Sequence, residues 1–440
     1  MTALLVSPDY VSHYLPMSAV GAALRDDGHE VVFATGDGLR ERVLADGFLH
    51  VGLRLGAGSN PTPEASGDDP GLDEFLAATR EGMVSTLELQ ARRRLHDLLW
   101  EPQRVTARLA EIVDALRPTI VLSDQLAFGA ALAFRALDIP FSSFLPGHPC
   151  QLPQPGVPFG YPAHRPAGFA EGKELTTLNA LCRRAAVAFT RQFNDTLFGL
   201  APHARPVEDA LAEPAPLGTL VNYPARLAAR RVAPGATLVG PCVPDEPGDP
   251  ELDSLDRGGE PPRAYVALGS FLSARSDVLG AIAGGLRGAG FGAVIASGVT
   301  PPDELGPLPE EWIVRPRLPQ VAALRACDVV VCHGGNNTVM EALAAGLPVV
   351  ALPFSTDQFA VAADVEAAGV GVALDPNRAT AFDLAATVRL ALRSRPRRRA
   401  GTLGRELRRD PGATRAARAL AGDHLAARTP FRSTSTPVRS

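Results

Sequence analysis

The 440-residue chain predicts an α/β protein: two doubly wound parallel-sheet domains of Rossmann-like character, facing across a cleft. Three observations carry this. The chain opens with strand, helix and strand at βαβ spacing. The same alternation restarts after residue 262. In the second half, strand-like runs end on glycine turns. The length suits two domains, each burying its own core.

ALLVSP, an amphipathic stretch from about Pro16 to Asp27, and HEVVFAT form the first unit. TARLAEIVDALRP, TIVLSD, FGAALAFRALDIP and FSSFLP repeat the theme. Their strands are nearly all apolar, which predicts a parallel sheet covered on both faces. From Pro146 to Pro166 the chain turns rich in proline, histidine and aromatics, a long loop of the functional rather than the scaffold kind. Residues 240–262 are rich in Pro, Gly and acids and are read as a surface linker.

The second half runs AYVALGS, a helix near 276–288, GAVIAS, WIVRP and a helix near 319–326, then VVVCHGGNNTVMEALAAGLPVVALPFSTDQ. It closes with a helix near 380–393 and an Arg- and Ala-rich helix that extends past 415. The predicted domains are 1–239 and 263–410, with the linker 240–262 between them. A C-terminal helix over 411–428 and a disordered tail over 429–440 complete the chain.

Composition excludes several classes. A net charge of -5 argues against a general nucleic-acid binder. No apolar run reaches the roughly 18 to 20 residues that span a bilayer. The N-terminus reads as a first strand rather than a signal peptide. Cys150, Cys182, Cys242, Cys327 and Cys332 form no CxxC pair, so free thiols in a reducing cytoplasm are expected.

Ligands of open α/β sheets sit beyond the carboxyl ends of the strands. Gly269-Ser270 and His333-Gly334-Gly335 lie at two such ends. A helix N-terminus offers unpaired N–H groups and a partial positive charge, so the turn before Thr338 suits a phosphate. Asn337 and Thr338 add polar donors, and His333 adds an imidazole. Thr338-x-x-Glu341 equally fits a capping box, which would make both residues structural. Asp357-Gln358 is open between hydroxyl recognition and a solvated loop.

As a whole, H-G-G-N-N-T-V-M-E-A-L, G-L-P-V-V-x-L-P and D-Q resemble the signature of family 1 nucleotide-sugar glycosyltransferases. These are inverting enzymes of the GT-B fold, and the resemblance is to the bacterial group that decorates macrolides and other natural products. It extends through Pro319-Gln320 and Gly240-Pro241 into the first half. It implies that His333, Gly335, Asn337 and Thr338 bind a diphosphate, with Gly269 and Ser270 from the opposite loop. Arg317, Leu318 and Gln320 would flank the nucleoside, Glu341 would accept from ribose hydroxyls, and Asp357 and Gln358 would read the sugar. Arg317 stands where many relatives have an aromatic residue that stacks on the base. Val361 stands where they tend to have Asn, a lost polar contact that would suit a deoxygenated sugar.

In the first half, His13-x-x-Pro16, expected in the loop before the first helix, matches the family's catalytic base. Asp124, at the end of TIVLSD, matches the acid that fixes its tautomer. No D-x-D sequence occurs, so no metal is expected on the diphosphate. Phe144 and Phe159, with Pro16, would line an apolar pocket for an aglycone such as a polyketide; core packing explains Phe141 and Phe144 equally well. Other readings are a lipid or sterol glycosyltransferase, a GT-B epimerase, and a non-catalytic binding protein of the same fold. The expected partners are a dTDP- or UDP-linked sugar, as co-substrate and not cofactor, and a small hydrophobic aglycone. A monomer or homodimer is expected, with room for an activator protein and no membrane insertion.

Overall fold

The structure is a computed structural model that describes residues 1–56, 70–95, 99–152, 154–170, 172–228, 232–255 and 261–426. The predicted tail, 429–440, lies outside the described residues.

The first sheet holds β1 (Thr2–Val6), β2 (Glu30–Thr35), β3 (Leu49–Gly52), β4 (Ile120–Asp124), β5 (Ser142–Leu145), β6 (Thr219–Val221) and β7 (Ala236–Leu238). Their order is β3-β2-β1-β4-β5-β6-β7, and every neighbouring pair is parallel. The second holds β8 (Arg263–Ala267), β9 (Gly292–Ala296), β10 (Ile313–Arg315), β11 (Val329–Cys332), β12 (Val349–Ala351) and β13 (Gly371–Ala373). Its order is β10-β9-β8-β11-β12-β13, again all parallel.

The apolar strands follow from burial on both faces. Ala3 and Leu5 pack into one core cluster while Leu4 and Val6 pack into another. In β11, Val330 and Cys332 face one way, Val329 and Val331 the other. Alternate side chains leave a strand on opposite sides, so each residue must be apolar.

Strand order reverses between β1 and β4, and again between β8 and β11. Each reversal opens a crevice at the strands' carboxyl ends, where ligands of such sheets bind. The helices that frame these crevices and the cleft are α1 (Val11–Asp26), α2 (Met83–Arg93), α3 (Lys173–Leu200), α4 (Gly269–Leu272), α5 (Gln320–Arg325), α6 (Asn336–Ala344) and α7 (Gln358–Ala368). The chain ends in α8 (Ser394–Arg409) and α9 (Gly412–Ala426).

Three features differ from the sequence expectation. The first helix begins at Val11, so His13 lies in its first turn and Pro16 inside it. The single Arg- and Ala-rich helix is broken at Asp410, which Pro411 forces out of helical geometry. Beyond that break α9 crosses back to the first sheet, where Ala416, Ala417 and Leu420 complete the core beneath α1. The segment after β7 is more than surface linker: Cys242 is buried and its N–H donates to Asn222 Oδ1 at 2.8 Å.

Candidate active site

At the first reversal His13 rises from the start of α1 and meets Asp124 at the end of β4, Nδ1 to Oδ2, at 2.9 Å. The ring is 18% exposed and the carboxylate is buried. Asp124 Oδ1 is fixed separately by the Leu126 N–H at 2.8 Å. A carboxylate only accepts, so Nδ1 carries the proton and Nε2 is left as the basic atom. Burial alone would lower the His13 pKa. The charge of Asp124, its hydrogen bond and the more distant Asp357 outweigh burial, and the net direction is up.

At the second reversal the ring of His333 sits between two glycines. A methyl at Gly269 would stand 2.9 Å from its Cε1, and one at Gly335 would overlap the ring outright. Gly269 also has φ +75°, which few side chains tolerate. Among the described residues no carboxylate hydrogen-bonds this imidazole, and burial, outweighing a hydrogen bond to the Ala267 backbone and the charge of Asp357, pushes its pKa down to about 4. Its Nδ1 is buried without a hydrogen-bond partner among the described residues. Ser270, expected on a loop, is exposed in the first turn of the short helix α4.

Gly335 caps α6 with no side-chain hydrogen bond, so the helix's first turn keeps free N–H groups. The capping box does not form. Thr338 Oγ1 and Tyr265 OH instead both approach Gln320 Oε1, at 3.4 and 3.1 Å. Gln320 Nε2 donates to Glu341 Oε2 at 2.5 Å. Burial holds the Glu341 carboxyl up at about 7 despite that bond. Arg317 is exposed on the loop before α5, and Leu318 packs on the core beneath it.

The two crevices touch across the cleft. Asn337 Nδ2 donates to the Ser12 carbonyl at 2.6 Å, one residue from the His13 backbone. Asn222 Nδ2 donates to Asn337 Oδ1 at 3.2 Å, and Asn336 Nδ2 reaches the Pro146 carbonyl at 2.7 Å. Asp357 Oδ2 accepts the His148 N–H at 2.7 Å. Asp364 takes hydrogen bonds from His148, His164 and Tyr223 at 3.0, 2.7 and 2.8 Å. With burial opposing and those three donors prevailing, its pKa falls to about 2.

Beside Asp357 lies a cavity of about 180 Å³, walled by Leu126, Phe128, Phe159 and Tyr161 from the first domain. Phe159 therefore stands where an apolar pocket was expected. Phe144 and Pro16 do not. Phe144 is sealed into β5 on the side covered by α1, because strand alternation turns it away from the cleft. Pro16 is buried inside α1. Two donor-side expectations also change. Gln358 is turned inward, its Oε1 capping the Phe354 and Ser355 N–H groups at 2.9 and 3.0 Å. Val361 is wholly buried in the core of the second domain, so its identity says nothing about the sugar.

Sequence reading passed over Asn222, Asn336, His148, His164 and Asp364. The two histidines lay in the 146–166 loop, whose composition did flag it. Their shared acid lies some 200 residues away at |i−j| of 216 and 200, so no local pattern pairs them. Among the described residues, no helix is long and apolar enough to cross a membrane.

Residues 221–399 match a model of the UDP-glucoronosyl and UDP-glucosyl transferase family. A zeaxanthin glucosyltransferase of Pseudescherichia vulneris is 26% identical over 382 residues, covering 83% of this chain and 84% of that one. A glycosyltransferase GtfE of Amycolatopsis orientalis is 27% identical over 400 residues, 88% of each chain. The crystal structure of the glycotransferase of kitacinnamycin superposes with TM-score 0.69 at 23% identity, covering 96% of this chain and 98% of that one.

Proposed function

Residues 221–399 are a domain of that transferase family and the chain is a glycosyltransferase of the GT-B fold; from this premise we propose that it moves a sugar from a dTDP- or UDP-linked donor to a hydroxyl of an apolar natural-product aglycone, with inversion. The observation that carries this reading is the His13–Asp124 contact of 2.9 Å at one strand reversal, facing the glycine-flanked His333 at the other. One similar protein is named a zeaxanthin glucosyltransferase and one similar structure the glycotransferase of kitacinnamycin, which supports an organic acceptor here. The cavity beside Asp357, about 180 Å³ with Leu126, Phe128 and Phe159 in its wall, would take an apolar portion of such an acceptor.

In this mechanism the acceptor oxygen attacks the anomeric carbon while His13 Nε2 takes its proton. The bond from that carbon to the diphosphate oxygen breaks, and its electron pair leaves with the nucleotide. Asp124 holds the imidazole in the required tautomer and stabilises the imidazolium that forms. The free N–H groups of α6, the Gly335 amide and the neutral His333 would receive the charge that develops on the diphosphate. Fixed dipoles in a closed cleft need no reorganisation as that charge appears, so the leaving group is stabilised without a metal. Glu341 would hold ribose hydroxyls, and Asp357 a sugar hydroxyl near the base.

His13→Ala tests this directly. Transfer should fall by about 100- to 10,000-fold, the usual worth of a positioned base. Nucleotide affinity, measured by calorimetry, should stay unchanged because the two sites belong to different sheets. Wild-type turnover in that variant would overturn the reading.

A further inference from the structure

The cavity beside Asp357 has a polar group at its wall that the transfer mechanism does not use. Arg94 follows α2 and points into the cavity, its guanidinium lying over the Phe159 ring at 5.0 Å. Nη1 is shut off from solvent and has no hydrogen-bond partner among the described residues. A side chain at Gly160 would collide with it, so the bare backbone at Gly160 is what makes room for the head group. Burial lowers the Arg94 pKa, opposed among the described residues by Cys182. A guanidinium cannot escape that cost by losing its proton at ordinary pH.

The side chain as a whole is half-buried, but a guanidinium N–H shut off from water with no partner among the described residues is costly, and one aromatic face recovers only part of its lost hydration. The lining also holds groups of opposite character: Asp357 and Gln151 come together at Gly147, away from the Gly160 turn that carries Arg94, and Gln151 Oε1 is buried without a donor among the described residues. Asp364 also borders the cavity, but its oxygens are engaged by His148, His164 and Tyr223. Leu126, Phe128 and Phe159 make part of the wall apolar.

We infer that Arg94 is a specificity residue that selects an apolar acceptor carrying an anionic oxygen, in the simplest case a carboxylate, at the end remote from the hydroxyl to be glycosylated. The hydroxyl of such a hydroxy acid lies on the Asp357 side of the cavity, the side whose charge reaches the base His13, and the carboxylate meets the planar donor fork of Arg94. This rests on the proposed reading of the cavity as the acceptor site, and it adds the charge of the acceptor to it.

The test is calorimetric binding of 6-hydroxy-2-naphthoic acid, its methyl ester and 2-naphthol to the full chain, with UDP and dTDP titrated separately. The acid should bind at least about tenfold more tightly than the ester, the scale of one charge-assisted contact. Arg94→Gln should bring acid and ester within twofold of each other, and Arg94→Lys should restore part of the preference. Nucleotide affinity should be the same in all three proteins. Equal or tighter binding of the ester by wild type, absence of acid binding, or a preference that survives in Arg94→Gln would each overturn the proposal. The wild-type comparison decides by itself should Arg94→Gln fail to fold. The outcome is separable from the transfer mechanism: an Arg94-dependent acid preference without any glycosyl transfer would keep this site and remove the proposed function.

Discussion

His13 and His333 occupy matching places in the two sheets, each at the strand reversal, and their chemistry runs in opposite directions. His13 has a buried carboxylate on Nδ1, and its pKa is raised although burial alone would lower it. His333 has glycines on both sides and no carboxylate hydrogen-bonded to it among the described residues, and burial takes its pKa down to about 4. In the proposed mechanism the first imidazole gains a proton during turnover, and burial keeps the second neutral. The same fold gives a proton acceptor where a carboxylate crosses the reversal and a fixed donor where glycine does.

Breaking the first arrangement has the largest expected effect. A general base works in its neutral form, so with a raised His13 pKa the rate climbs with pH through values above the ordinary imidazole range near 6.5. Asp124→Asn removes the two largest influences that raise the pKa and leaves burial, the largest of all, opposed by the charge of Asp357 alone among the described residues. The acidic limb of kcat/KM should therefore move to lower pH. The plateau should fall by about 100- to 10,000-fold, because an amide no longer holds the productive tautomer. A pH–rate profile checks both. A limb that stays in place would mean another group, not His13, titrates.

The second arrangement predicts a smaller effect of a different kind. Glu341 is buried beside Gln320 and its folded pKa is about 7, above the 4.5 of a free glutamate. Between those values the folded state holds a proton that the unfolded state has lost, so stability declines as pH rises through this window. The shift corresponds to a few kcal/mol at pH 8 and to little near pH 5. Glu341→Gln should raise the melting temperature at pH 8 and leave it nearly unchanged at pH 5. Donor affinity should fall in the same variant while acceptor affinity holds, since an amide is a poorer acceptor for two ribose hydroxyls. A melting temperature that does not change with pH would remove the buried carboxylate from this account. The site thus costs stability in order to present a charge.

What was legible in the sequence divides along the same line as the two sheets. In the second sheet, the glycine turn, the α6 start and Glu341 lie within one short run, VVVCHGGNNTVMEAL, so local pattern brought them together. In the first, His13 and Asp124 are 111 residues apart, and only parallel pairing of β1 with β4 makes them neighbours. Resemblance suggested that pair; periodicity alone does not. Strands were readable because two-sided burial forces every residue to be apolar. Faces were not: Phe144 and Phe159 look alike in sequence, but Phe144 lies in β5 and is turned into the core, while Phe159 lies in a turn of the proline-rich loop and borders the cavity. Pro411 carried a local signal for the helix break that the expectation of one helix running past 415 passed over, and the return of α9 to the first sheet is a long-range contact with no local trace.

The smallest expected effect concerns the point where the two arrangements meet. Pro16 has no N–H, so the Ser12 carbonyl four residues earlier has no helical partner. That oxygen instead accepts Asn337 Nδ2 from the second sheet, at 2.6 Å. Sequence matched Pro16 to the acceptor pocket, yet its structural consequence is a freed backbone acceptor beside the base. Pro16→Ala would supply an N–H in competition with Asn337. The helix itself should gain stability, since proline costs about 3 kcal/mol in an ordinary helix interior and alanine is favoured there. Turnover should drop only a few-fold, because His13 keeps Asp124 while the contact between the crevices loosens. A double-mutant cycle with Asn337→Ala isolates the contact. If the freed carbonyl is what Asn337 holds, the two substitutions share one interaction, and their effects on kcat/KM should fall short of additive by about 0.5–1 kcal/mol. Full additivity would mean that Pro16 shapes α1 for its own sake and that Asn337 meets Ser12 by proximity alone.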